Sequence, residues 1–103
     1  MKMIELQSSD TFELFCPFCG ERAIGGDELS TCKHTLFHAS QHGFEFVSDT
    51  PQMNALSKQF NETIDDVDIE QLIAETDYPN AVCFIINQPA PSGFAGYVAF
   101  SDQ

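Results

Sequence analysis

The sequence predicts an α+β fold with a mostly antiparallel sheet and one or two helices. Strand-like apolar runs lie in the first half and near the end of the chain, helical spacing is confined to the middle, and turn-forming residues separate these segments. A block of strands, then helices, then a hairpin favours an antiparallel sheet over a repeated β-α-β pattern. With 103 residues and 43% hydrophobic content, residues 1–103 are expected to form a single domain with one modest core.

Two hairpins are predicted in the N-terminal half. Residues 11–16 have a strand-like period and run into a Cys-Pro turn. The three glycines of residues 20–31 favour a turn or an irregular hairpin over a helix. Residues 32–40 and the clearly alternating residues 44–47 lie on either side of a break, so we expect them to pair as a β-hairpin.

The middle of the chain, residues 53–76, is predicted to be helical. A helix is expected from about residue 66 to 76, capped by Asp65 or Asp66, and a shorter helix can precede it. Acidic residues crowd the start of the second helix, where the positive end of the helix dipole favours them. The apolar positions that carry the helical spacing are Met53, Leu56, Phe60, Ile69, Leu72 and Ile73.

The last segment, residues 81–101, is predicted to form a C-terminal β-hairpin. Residues 81–86 are a continuous apolar run of strand length, and a Pro-rich loop separates them from a second apolar run at residues 94–101. Cys83 lies inside the first run, so it is interpreted as a buried core residue.

The charge is strongly acidic. Four Lys and Arg stand against sixteen Asp and Glu, which gives a formal net charge of −12. Direct binding to nucleic acid or an anionic membrane is disfavoured, because both depend on Lys and Arg, whereas a basic protein partner is compatible with this charge. The first residues lack the apolar region of a secretory signal and no stretch is long enough to span a membrane, so a cytoplasmic location is expected.

The cysteines carry the strongest chemical signal. In a reducing compartment they are better explained as metal ligands, catalytic groups or buried thiols than as disulfides. Cys16 and Cys19 are separated by two residues, and after twelve more residues come Cys32 and His34, a C-x2-C-x12-C-x-H pattern. Structural zinc takes four nitrogen or sulfur ligands, and these four residues would supply a Cys3His site.

The fourth ligand is the open point of this prediction. If residues 32–38 are extended, Cys32, His34 and His38 share one face of the strand. His38 would then lie about 20 Å along the strand from Cys32, at roughly 3.3 Å per residue. We therefore expect His34 to be the fourth ligand, with His38 the alternative and His42 in the following turn.

The stretch "CPFCG" at residues 16–20 resembles the first knuckle of zinc ribbons, in which Cys-Pro-x-Cys-Gly is a recurrent form. The resemblance covers residues 14–38 and implies a zinc-ribbon-like hairpin that the metal attaches to the sheet. The second pair differs from the usual ribbon spacing, since a single residue separates Cys32 from His34. The chain is also similar to small uncharacterised bacterial proteins with such a knuckle, a resemblance that implies no activity.

A redox site is the main alternative, because Cys-Pro-Phe-Cys is also similar to the active-site motif of glutaredoxins. That motif requires the first cysteine at a helix N-terminus, yet Gly20 and a glycine-rich stretch follow here without helical spacing. A third interpretation leaves Cys16 and Cys19 as unligated buried thiols. Metal binding accounts for the four residues with the fewest assumptions.

Most aromatic and acidic side chains are interpreted as core or surface residues and not as functional groups. Most phenylalanines of the N-terminal half are expected in the core, while Phe18 at the knuckle is either buried or exposed as a contact residue; the set is Phe12, Phe15, Phe18, Phe37, Phe44 and Phe46. The acidic residues around residues 65–75 are interpreted as a solvated helix face. The common catalytic signatures are absent from the sequence.

The sequence thus favours a small protein with a structural zinc site that acts as an accessory or protein-interaction module, without catalysis. One alternative is a thiol-disulfide oxidoreductase that uses Cys16 as nucleophile and Cys19 as resolving thiol. Another is an acidic inhibitor or immunity-type protein that binds a basic partner, in which zinc only stabilises the fold.

Overall fold

The structure is a computed structural model that describes residues 1–6, 13–25, 28–29, 32–40, 43–47, 49–63, 65–78, 80–87 and 95–102. In this part of the chain, eight strands and two helices form an α+β fold, as predicted. The strands build a five-stranded sheet and a separate three-stranded sheet. Neither of the two helices is long and apolar enough to cross a membrane.

The five-stranded sheet has the order β1-β7-β8-β5-β6. Its three antiparallel pairings join β7 to β8, β8 to β5, and β5 to β6, whereas β1 runs parallel to β7. The predicted antiparallel pairing of residues 32–40 with residues 44–47 is confirmed as β5–β6, and the predicted C-terminal pairing is confirmed as β7–β8. The strands are β1 (Lys2–Glu5), β5 (Thr35–Ser40), β6 (Gly43–Phe46), β7 (Ala81–Asn87) and β8 (Ala95–Ser101).

The three-stranded sheet is the small sheet that carries the knuckle. It has the antiparallel order β2-β3-β4, with β2 at Glu13–Phe15, β3 at Arg22–Gly25 and β4 at Glu28–Leu29. The expected irregular hairpin is therefore present, while residues 11–12 of the first predicted strand lie outside the described residues.

Both helices begin with a side-chain cap. The first helix, α1 (Pro51–Glu62), has Thr50 as its N-cap, and the Thr50 hydroxyl accepts a hydrogen bond from the Met53 N–H at 3.2 Å. The second helix, α2 (Asp66–Glu75), is capped by Asp65, whose carboxylate accepts from the Val67 N–H at 2.9 Å. The expectation that the first helix is the shorter one is wrong. Helix α1 has twelve residues and α2 has ten, because α1 already begins at Pro51, directly after its N-cap Thr50.

The five-stranded sheet is covered on both faces because successive side chains of its strands point in opposite directions. On one face, Cys83 and Ala99 pack with Met53, Leu56 and Ile73 of the helices. The predicted burial of Cys83 is confirmed, and burial raises the pKa of its thiol. The other face packs against the small sheet through a second apolar cluster of Leu14, Cys16, Ala23, Phe84, Ile86, Val98 and Phe100.

Strand β1 was not anticipated, because only the absence of a signal sequence was apparent in residues 1–8. Met3 packs partly against the helix-side cluster and Ile4 against the small-sheet side. The pairing Lys2↔Val82 shows why the strand is hard to predict: its partner lies eighty positions away, and four residues carry little pattern of their own.

Candidate metal centre

The first pair of candidate ligands lies in a tight turn between β2 and β3. The Gly20 N–H donates to the Cys16 carbonyl at 2.9 Å, and the Cys16 N–H donates to the Glu21 carbonyl at 2.8 Å. Gly20 has a φ of +77°, a conformation that glycine adopts without a steric penalty. The backbone of the Cys-Pro-Phe-Cys-Gly stretch is therefore closed on itself, with Cys16 at its base and Cys19 near its tip.

The second pair lies immediately before β5, in a turn. The Thr35 N–H donates to the Cys32 carbonyl at 3.1 Å, and the Ser101 N–H donates to the His34 carbonyl at 2.8 Å. The expected extended conformation of residues 32–34 is therefore wrong. Cys32 and His34 come together because a turn folds them, and the end of β8 holds that turn in place.

The two pairs meet at one point. One ligand atom from each of Cys16, Cys19, Cys32 and His34 lies within 4.8 Å of all the others. In a tetrahedral zinc site, ligands about 2.3 Å from the metal are separated by roughly 3.8 Å, so this grouping has the right size for one ion. The four residues that the sequence predicts as ligands form a Cys3His group positioned to bind a metal ion.

The histidine provides an independent test of the fit. The Nδ1 atom of His34 is buried and has no hydrogen-bond partner among the described residues. A buried polar nitrogen without a partner costs free energy, and a cation coordinated by this nitrogen would satisfy it. The ring of His34 also contacts the ring of Phe18, with 5.6 Å between the centroids, so its position is fixed by packing.

The sulfurs of Cys16 and Cys32 each lie near a hydrogen-bonding group. The Phe18 N–H lies 3.4 Å from the Cys16 sulfur, an arrangement that stabilises a thiolate in a ligand turn. The Thr35 hydroxyl lies 3.6 Å from the Cys32 sulfur. Sequence reasoning missed Thr35, although Thr hydroxyls often form hydrogen bonds to nearby backbone groups in turns.

The environments of these two thiols differ. Burial raises the pKa of the Cys16 thiol, although hydrogen bonds from the backbone of Phe18 and Cys19 oppose this effect. Burial also acts to raise the pKa of the Cys32 thiol, but hydrogen bonds, first from Thr35 and then from the His34 backbone, outweigh it, so this pKa is lowered. A bound metal cation would favour the thiolate form of both residues, against the effect of burial at Cys16 and in addition to the hydrogen bonds at Cys32.

The other histidines are not part of this group. His38, the alternative ligand, lies farther along β5, buried and paired across the sheet with Val98 and Glu45. Within the described residues, the only cluster with metal-ligand spacing contains His34 and omits His38. His42 lies outside the described residues.

Two phenylalanines near the candidate metal centre, Phe15 and Phe18, are exposed to solvent. Phe15 is 49% exposed, which corrects the expectation that it lies in the core: Leu14 and Cys16 point inward, so the residue between them points outward. Phe18 is 36% exposed, one of the two positions considered for it. Arg22 lies directly opposite Phe15 in the β2–β3 pair, and Arg22 is also exposed.

The surroundings of Cys16 differ from those of a redox nucleophile. Cys16 is 2% exposed, and the residues after Cys19 form a turn and β3 instead of a helix whose N-terminus could stabilise a thiolate.

No known protein family, curated protein or solved structure matches this chain.

Proposed function

We propose that this chain is a small zinc-binding protein whose metal site is structural, and that it works as an accessory or protein-interaction module without catalysis. The observation that carries the proposal is the Cys3His group with its unpartnered His34 Nδ1. Thiolate and imidazole ligands in a tetrahedral arrangement favour Zn²⁺ among the common metals. Four protein ligands fill the coordination sphere and leave no position for a substrate.

The position of the site supports a structural role. Cys16 directly follows β2 of the small sheet and belongs to the apolar cluster beneath it, whereas Cys32 and His34 directly precede β5 of the five-stranded sheet. An ion shared by these residues attaches the small sheet to one face of the five-stranded sheet. The binding free energy of such an ion is folding free energy, because the ligand set does not exist in the unfolded chain.

The first experiment is to measure the metal content of untagged protein purified without added metal, with a count of free thiols on the same sample. We expect about one zinc ion per chain, and we expect a strong chelator to remove both the ion and the cooperative unfolding transition. Cys16→Ser should have the same effect as the chelator. Metal-free protein that cycles between a dithiol and a Cys16–Cys19 disulfide would instead favour the oxidoreductase alternative.

A basic protein partner is the second proposal, supported by the helices. A cavity of about 340 Å³ lies between α1 and α2, and Glu62, Asp68 and Glu75 are among the residues that line it. Together with the net charge of −12, this surface has the sign that attracts a basic partner. In such a complex, affinity should fall steeply with salt and should be lowered by Glu62→Gln with Asp68→Asn, while zinc content stays unchanged.

A further inference from the structure

The four ligands of the metal centre differ in their access to solvent. Cys16 is 2% exposed and Cys32 and His34 are half-buried, whereas Cys19 is exposed. Oxidation of a cysteine follows its thiolate character and its accessibility, and metal ligation keeps all three sulfurs as thiolates. Access to a reagent from solvent therefore distinguishes Cys19 from the other two.

Hydrogen bonding points to the same residue. The Cys16 sulfur lies near the Phe18 N–H and the Cys32 sulfur near the Thr35 hydroxyl, at 3.4 and 3.6 Å. Among the described residues, the Cys19 sulfur has hydrogen-bond contacts with the Cys16 and Cys32 thiols, which are thiolates when metal is bound, but with no backbone N–H or hydroxyl. A donor withdraws electron density from a thiolate, so Cys19 is also the sulfur whose nucleophilicity is least reduced.

A second thiolate lies within reach for a disulfide. The sulfurs of Cys16 and Cys32 are both within 4.8 Å of that of Cys19. A rotamer change of short side chains covers the difference between this separation and a disulfide bond of about 2.05 Å. A disulfide would remove two ligands at once, and the remaining Cys-His pair would no longer hold the ion.

We propose that Cys19 is an oxidation site for hydroperoxides, and that its oxidation releases the metal by forming a disulfide with Cys16 or Cys32. This proposal rests on the proposed zinc site. The Cys19 thiolate attacks the terminal oxygen of the hydroperoxide, the O–O bond breaks as an S–O bond forms, and after protonation water leaves from hydrogen peroxide or an alcohol from an organic hydroperoxide. The neighbouring thiolate then attacks the Cys19 sulfur, the S–S bond forms, the S–O bond breaks, and hydroxide leaves as water after taking a proton. The two thiolates lose two electrons and the hydroperoxide gains them.

Limited alkylation of the zinc-loaded full chain tests the reactivity order. With iodoacetamide below one equivalent per chain, peptide mass spectrometry should find Cys19 modified before Cys16, Cys32 and the buried Cys83. Equal labelling of Cys19 and Cys32, or earlier labelling of Cys16, would overturn the proposal. Absence of zinc from the starting protein would instead contradict the proposed function, so the two failures are distinguishable.

Peroxide treatment tests the consequence. Hydrogen peroxide should release zinc, detected with a chromophoric chelator, in step with a disulfide that contains Cys19, and dithiothreitol with zinc should restore the site. Cys19→His keeps a zinc ligand and removes the exposed thiolate, so its zinc should no longer be released. Cys32→His is the matched control that keeps Cys19 and should still release zinc. A Cys16–Cys32 disulfide, or undiminished release from Cys19→His, would contradict the proposal.

Discussion

The hydroxyl of Thr35 connects the turn at Cys32 to the metal centre in two ways. Its oxygen accepts a hydrogen bond from the Cys32 N–H at 3.0 Å and lies 3.6 Å from the Cys32 sulfur. Since the oxygen accepts from the backbone, its own proton is available to the sulfur. Thr35 is fully buried, so solvent does not compete for these contacts. One side chain thus shapes the turn and supports the thiolate.

Removing this hydroxyl should weaken metal binding. In Thr35→Val, the Cys32 N–H and sulfur lose their partner while the volume of the side chain is kept. We expect zinc affinity to fall by about 10- to 100-fold, the usual effect of removing a group that supports a metal ligand. Competition with a chromophoric chelator measures the change. Thr35→Ser retains the hydroxyl and should keep most of the affinity, and equal loss in both variants would argue against the role of the hydroxyl.

The identity of the fourth ligand can be tested with a matched pair of histidine variants. His34→Gln removes the nitrogen that lies with the three sulfurs, so zinc affinity should drop by several orders of magnitude or the ion should be lost. His38→Gln leaves the four ligands in place and should retain about one zinc ion per chain. Native mass spectrometry gives both stoichiometries. Retention of tightly bound zinc by His34→Gln would require a different ligand.

His38 should make the fold sensitive to mild acid. Burial lowers the pKa of His38 below its ordinary value of 6.5, while the carboxylate of Glu45 on β6 opposes this shift. The unfolded chain therefore takes up a proton at His38 at a higher pH than the folded chain. Stability should be fully present above about pH 7.5 and should fall as the pH drops through 6.5 towards the lower folded pKa.

Denaturant unfolding from pH 8 to 5 measures this dependence. His38→Gln cannot take up the proton, so its stability should change less over the same range. The unsubstituted protein and His38→Gln have the same candidate metal ligands. Any loss of the ion in acid therefore affects both, and it cancels in the difference between their free energies of unfolding. Parallel curves for the two proteins would exclude His38 as the source.

Gly96 should tolerate no side chain. A Cβ added there would collide with the carbonyl oxygen of Ala39 on the neighbouring strand β5. Because backbone cannot move aside cheaply in the middle of a sheet, Gly96→Ala should destabilise the fold by at least about 3 kcal/mol. Gly43→Ala is the comparison: its φ of +124° carries backbone strain of about 1–3 kcal/mol, but the space around it is open, so no steric collision is added. Thermal unfolding of the two variants measures the difference.

Local sequence signals predicted the parts of the fold that depend on near neighbours. The capping of α2 by Asp65 follows from the preference of a short carboxylate for helix N-termini, and the burial of Cys83 follows from an apolar run of strand length. The membership of Cys16 and Cys19 in the Cys3His group follows from a spacing that lets two sulfurs face one point. In each case the interactions that determine the structure involve only a few consecutive residues.

The parts that sequence reasoning missed depend on distant partners. Strand alternation predicted an extended segment at Cys32 and His34, but hydrogen bonds to Thr35 and from Ser101 favour a turn there. Ser101 lies far away in sequence, so its N–H could not be assigned to His34 from the pattern alone. His34 lies with the three cysteines, as predicted, but a turn brings it there and not the strand geometry from which it was predicted.

The parallel pairing of β1 with β7 has a consequence for the order of folding during synthesis. Lys2 pairs with Val82, so the first strand has no sheet partner until most of the chain has left the ribosome. All four candidate metal ligands, by contrast, are made by residue 34. Contacts that are short in sequence form with the smallest loss of chain entropy, so metal capture can precede closure of the five-stranded sheet. The availability of zinc during synthesis would then influence the yield of folded protein, in addition to its effect on the stability of the finished fold.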